Sequence, residues 1–127
     1  MPQSQESKYV VLDRISAGER WVSEGRATFR IGINVLHVRF KSNAPYSFNI
    51  NPNTLTADFE VWICGNADTY YLIPTQIMRR IYDHPGTYTD YRHPEIRVVS
   101  VNVLNNTVTY ATGGEKMDIA TYLGGTL

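Results

Sequence analysis

In Val35-Leu36-His37-Val38-Arg39-Phe40-Lys41, within the segment from Asn34 to Pro74, apolar and basic side chains alternate from Leu36 onward. Successive side chains of a strand point to opposite faces, so Leu36, Val38 and Phe40 share one side while His37, Arg39 and Lys41 share the other. Ser42-Asn43-Ala44-Pro45 ends this ladder, and Tyr46-Ser47-Phe48-Asn49-Ile50 restores strict alternation up to Asn51-Pro52-Asn53. Phe59-Glu60-Val61-Trp62-Ile63-Cys64 and Tyr70-Tyr71-Leu72-Ile73 are rich in aromatic and β-branched residues and flank Gly65-Asn66-Ala67-Asp68, which predicts a hairpin. Four strands are therefore expected between Asn34 and Pro74.

Working outward, Ala27-Thr28-Phe29-Arg30-Ile31 also alternates, and Gly32-Ile33-Asn34 can turn it back onto Val35 to Lys41. Further upstream the pattern satisfies neither period, and Tyr9-Val10-Val11-Leu12 can begin a strand or a short helix. Downstream, Thr75 is placed to cap a helix whose Ile77 and Ile81 share a face and which Gly86 can stop. Ile96 to Leu104 and Thr107 to Ala111 form a further expected hairpin across Asn105-Asn106, and Met117 to Leu123 reads as a short closing helix. The fold class is α+β: a mixed, mostly antiparallel sheet with one or two helices. One domain is expected over residues 9–127, after a polar, frayed lead-in over residues 1–8.

A chain of 127 residues can bury roughly two thirds of the surface it exposes when unfolded, enough for a single core. No apolar run approaches the roughly 20 residues that span a bilayer, and Met1 to Lys8 lacks the basic and apolar regions of a secretory signal. Cys64 is the only cysteine, which excludes an internal disulfide and suits the reducing cytoplasm; within an apolar strand it reads as a buried structural thiol. Formal net charge is zero, which excludes a generic polyanion binder relying on bulk charge. The distribution is uneven, because residues 1–57 carry seven Lys and Arg against four acids and residues 58–127 carry five against eight.

Three short motifs carry a resemblance. Val38-Arg39-Phe40-Lys41-Ser42, then Ala57-Asp58-Phe59-Glu60-Val61-Trp62-Ile63, then Tyr71-Leu72-Ile73-Pro74 follow one another as in small nucleases of the PD-(D/E)XK, or restriction-endonuclease-like, superfamily. The likeness is to its Holliday-junction-resolvase-like members, and it covers roughly residues 27–82. It implies a restriction-endonuclease-like core in which two carboxylates hold a magnesium ion beside a phosphate and Lys41 orients or deprotonates the attacking water. The chain departs from that pattern at two places. Arg39 stands where the resemblance implies an acid or glutamine, and Arg26, Thr28 and Arg30 occupy the preceding strand, where it implies an aspartate. Glu24, or else Glu19, is the carboxylate available to replace them; the metal ligands stay unassigned.

The expected function is a nucleic-acid-binding, nuclease-like domain with a degenerate catalytic site, meeting DNA or another nucleic acid through Arg26, Arg30, His37, Arg39 and Lys41. Two alternatives stand beside it. One is a magnesium-dependent endonuclease with relocated carboxylates, its catalytic residues being Lys41 and Glu24. The other is a non-catalytic interaction or homodimerisation module, with Tyr82, Tyr88, Tyr91 and Arg92 as the contact surface. Asp58 is expected to bond turn amides at its strand's start, and His84 and His93, each before a proline, show no metal-ligand spacing.

Overall fold

The computed structural model describes residues 3–127. Its first helix, α1 (Gln3–Ile15), buries Ser7, Val11, Leu12 and Ile15, a stripe at helical spacing. The expected frayed lead-in is thus corrected over residues 3–8, while Met1 and Pro2 lie outside the described residues. Apolar residues occupy that stripe only from Val11 onward, so the polar first turns conceal its period. Ala17 (φ 52°) and Gly18 (φ 88°) end the helix in left-handed geometry, with the Gly18 amide donating to the Asp13 carbonyl at 3.3 Å.

Strands β1 (Trp21–Ser23), β2 (Thr28–Ile31), β3 (Asn34–Lys41), β4 (Tyr46–Ile50), β5 (Phe59–Cys64) and β6 (Tyr70–Pro74) follow, then α2 (Thr75–Asp83) and β7 (Arg97–Asn102), β8 (Thr107–Ala111) and β9 (Glu115–Asp118). The architecture is α+β with mostly antiparallel pairing, as expected. The strands fall into two sheets rather than one: β1-β2-β3-β5-β6 and β4-β7-β8-β9. Only β3 and β5 run parallel, because the chain leaves the first sheet after Lys41, lays β4 into the second, and returns.

Alternation of side chains sorts the first sheet into two buried faces. Leu36, Val38, Val61 and Ile63 meet Val11, Leu12 and Ile15 of α1 in one core. On the opposite face Trp62, Cys64, Tyr71 and Ile73 meet Phe48, Val99, Val101 and Val108 of the second sheet and Met78 and Ile81 of α2. Trp62 is fully buried and stacks on Phe48, with ring centroids 5.1 Å apart and planes 9° apart. A sheet covered on both sides explains why β5 reads as a continuous apolar run.

Two local expectations are corrected. Thr75 does not cap α2: it is a buried first-turn residue, and Pro74 occupies the cap position without a side-chain bond. Proline suits that start because it has no amide hydrogen to satisfy. The expected closing helix over Met117 to Leu123 begins as strand β9 and ends as a single 3-10 turn over Ala120–Tyr122. Leu123 then bridges to Tyr71, covering the edge of β6.

Candidate nucleic-acid interface

Strand β3 lies between β2 and β5, and its register sets what each basic side chain meets. His37 stands opposite Glu60, Arg39 opposite Trp62 and Lys41 opposite Cys64. The His37 side chain is 12% exposed and that of Glu60 9%. His37 Nδ1 lies 2.9 and 3.1 Å from the two Glu60 carboxylate oxygens. A carboxylate only accepts, so the proton sits on Nδ1 and the histidine donates. His37 is therefore turned inward and matched by an acid, and it is not a surface phosphate contact. Glu60, in turn, is held by the histidine instead of being free to bind a cation.

Arg30 is also occupied. Its guanidinium lies 3.1 Å from Glu24, and both side chains are partly exposed. This pair withdraws Arg30 from the expected basic row and Glu24 from the role of relocated carboxylate.

Arg39 differs from both. Its Nη1 donates to the Asn49 main-chain carbonyl at 2.9 Å, a neutral acceptor that satisfies one donor and cancels no charge. Arg26 lies in the bend between β1 and β2, exposed, and makes no ion pair among the described residues. The third member of this group comes from α1. Burial holds the Lys8 ammonium below its ordinary value, and the positive charges of Arg39 and Arg26 lower it further. Lys41, exposed at the end of β3, leaves the same strand face as Arg39. The expected five-residue row is thus reduced to Arg26, Arg39 and Lys41, with Lys8 added from α1 within reach of the repulsion of the first two. Lys8 escaped the sequence reading because its helix did; once Ser7, Val11 and Ile15 are aligned on one face, Lys8 falls at that stripe's flank.

The remaining candidates have structural partners. The Asp58 carboxylate accepts from the Val35 amide at 2.7 Å, tying the start of β5 to β3. His84 Nδ1 accepts from the Gly86 amide at 3.0 Å, leaving Nε2 to donate to Glu115 at 3.2 Å. His93 lies 3.7 Å from Glu95. Cys64 is buried and free, and burial pushes its thiol up to about 12, the opposite of an activated nucleophile. No helix is long and apolar enough to cross a membrane among the described residues.

The magnesium ion that the resemblance implies needs several hard oxygen ligands around one point. Among the described residues no three His, Cys, Asp or Glu side chains converge in this way. Those near the expected position are a cation, Arg39, and two acids already paired, Glu24 and Glu60. The donor set does not fit a divalent cation. No protein-family model matches the chain, and neither a curated protein nor a solved structure matches it.

Proposed function

We propose that this protein is a nucleic-acid-binding domain on a nuclease-like scaffold whose catalytic metal site has been lost, and that it works in the cytoplasm. The observation that carries the reading is the pair Arg26 and Arg39, two cations without a carboxylate partner among the described residues, which flank the 2.8 Å bond from the Val38 amide to the Ala27 carbonyl. Like charges concentrated without internal compensation raise the local potential even at zero net charge, and a phosphate backbone is the polyanion that relieves it. Lys41, exposed on the same strand face, extends this surface by one further contact. The lysine-ended strand, its pairing with the strand that follows Asp58 and the hairpin that ends Tyr71-Leu72-Ile73-Pro74 support a nuclease-derived ancestry. The free, buried Cys64 thiol is in keeping with a reducing compartment.

Such contacts position a nucleic acid by its phosphates and carry no base readout. Changing Arg39 and Lys41 together to alanine is expected to weaken binding of a short DNA at least tenfold near physiological salt and to lower the salt slope by about 1 to 2. Fluorescence anisotropy at several salt concentrations measures both; unaltered affinity and slope would remove this surface from the reading.

A second reading rests on the loop before β7. Tyr91 is 97% exposed and Tyr88 is 37% exposed, beside a cleft of about 300 Å³ on the outer face of the second sheet. Exposed tyrosines of this kind serve as anchors for a partner protein or a second copy of the chain. Sedimentation at increasing concentration, for the parent and Tyr91→Ala, separates this reading: a salt-insensitive dimer lost in the variant would favour it.

A further inference from the structure

A hollow lined by Lys8 and Arg26 lies between α1 and the β1–β2 bend, with a volume of about 430 Å³. Lys8 and Arg26 enter it from opposite elements, Ser4 and Ser23 add hydroxyls, and Tyr9 and Phe29 form an apolar wall. Glu24 sits between the lining residues Ser23 and Gly25, yet its carboxylate pairs with Arg30. Among the described residues no acid lines the hollow. The volume falls within the usual range for small-ligand sites, roughly 300 to 1,000 Å³.

The aromatic wall is braced from behind. The Tyr9 ring lies 5.1 Å from that of Trp21, and Trp21 meets Phe29 edge-on at 5.8 Å. Trp21 is anchored in turn by its indole N–H, which donates to Asp13 at 2.7 Å. The Tyr9 hydroxyl accepts from the Gln5 amide at 2.7 Å, which holds the ring beside Lys8 on the first turns of α1. Two cations next to a braced apolar wall match a ligand with a compact anion attached to a planar ring. An internal phosphodiester follows a backbone across a surface, whereas a recessed hollow with two converging cations suits a phosphate monoester with its greater charge.

We propose that this hollow binds a phosphate monoester carried on a nucleoside, either a free mononucleotide or the phosphorylated end of a strand. The inference rests on the nucleic-acid reading above and adds a terminus to it: Arg26 belongs to both the surface and the hollow, and Lys8, from α1, receives the end.

The test compares one short single strand in four forms: 5′-phosphorylated, 3′-phosphorylated, unphosphorylated and covalently circular. Inorganic phosphate and a nucleoside monophosphate serve as separate probes, and the emission of Trp21, read in a Trp62→Phe background, reports on the hollow. A phosphorylated linear strand is expected to bind at least tenfold more tightly than the circle, and a mononucleotide to change the Trp21 emission. Lys8→Ala should bring the affinities for the two forms together, and Lys8→Arg should restore the gap. Equal affinity for circle and phosphorylated ends overturns the end-binding inference and leaves the surface reading standing. A mononucleotide response lost in Lys8→Ala, without binding of any strand, upholds the hollow and overturns the nucleic-acid surface. Inorganic phosphate binding as tightly as the mononucleotide overturns the nucleoside part, and silence towards every probe overturns both.

Discussion

His37 and Arg39 leave the same face of β3 one pleat apart, and their surroundings are opposite. His37 meets Glu60 across the parallel β3–β5 pair and is closed off. Arg39 meets the Trp62 position, spends one donor on a main-chain carbonyl, and lies beside Arg26 where the Val38 amide bonds the Ala27 carbonyl. Strand alternation gives both residues the same side, but the neighbouring strand decides whether the charge is cancelled or left to act outward. The middle of β3 commits its polar side chain to an inward hydrogen bond, and its end leaves charge available for a partner.

The largest test of this contrast acts on the closed side. Glu60→Ala leaves the His37 Nδ1–H without its acceptor within the packed region, and a loss of about 1–3 kcal/mol is expected, as for other buried donors left unsatisfied. Urea denaturation measures it; a loss of under about 1 kcal/mol would mean that the two ends of the strand do not differ. Replacing both partners, as His37→Phe with Glu60→Leu, should recover most of that loss.

Alkaline titration sharpens the same contrast through other residues of the inner layer. Burial pushes the Cys64 thiol from 9.0 up to about 12, and the Tyr71 hydroxyl, also close to the Cys64 charge, from 10.0 up to about 12. Folded-state values above the unfolded ones mean that the native state holds protons which the unfolded state releases. Stability contributed by these groups is complete below pH 9 for Cys64 and pH 10 for Tyr71, and is lost as pH rises towards 12. Thermal melts between pH 8 and 12 should show this decline, and Cys64→Ala should delay its onset; an unchanged onset would place the thiol's titration elsewhere.

On the open side the effects are smaller and of opposite sign. Arg39→Ala removes one hydrogen bond to a carbonyl and one repelled charge, so the expected change in stability is within about 1 kcal/mol while binding weakens. Lys8→Met is expected to be neutral or to stabilise by up to about 1 kcal/mol, because it removes a partly buried cation facing two others. Its stability contribution also has a pH signature. With the native value lowered below 10.5, the unfolded state binds more protons there, so the parent should gain stability relative to Lys8→Met as pH approaches 10.5. Parallel melts of parent and variant across that range measure the gain.

How far the sequence could be read follows from the range of each signal. Strands β3 to β6 are bounded by Ser42 to Pro45, Asn51 to Asn53 and Gly65 to Asp68, local breakers whose chemistry acts on the next few residues, and these elements stand where the pattern puts them. The split into two sheets was not legible, because β4 alternates as well for one sheet as for the other; its partner β7 lies about fifty residues downstream. Helix α1 was hidden by its polar start. At the site, residue types gave the side of β3 and the departures from the nuclease pattern. They could not give the pairings: Glu60 reaches His37 only through the parallel register, and Lys8 joins Arg26 at one hollow only once α1 lies across the sheet.

The detour of the chain through β4 carries a kinetic consequence. Strands β3 and β5 can join in parallel only after the intervening segment has travelled out and come back, so their contact closes a long loop before it gains its own ladder. The excursion delivers Phe48 onto Trp62, which belongs to the returning strand. Completing one sheet thus helps to assemble the other, and the two layers should appear and vanish together in a single slow, all-or-none transition.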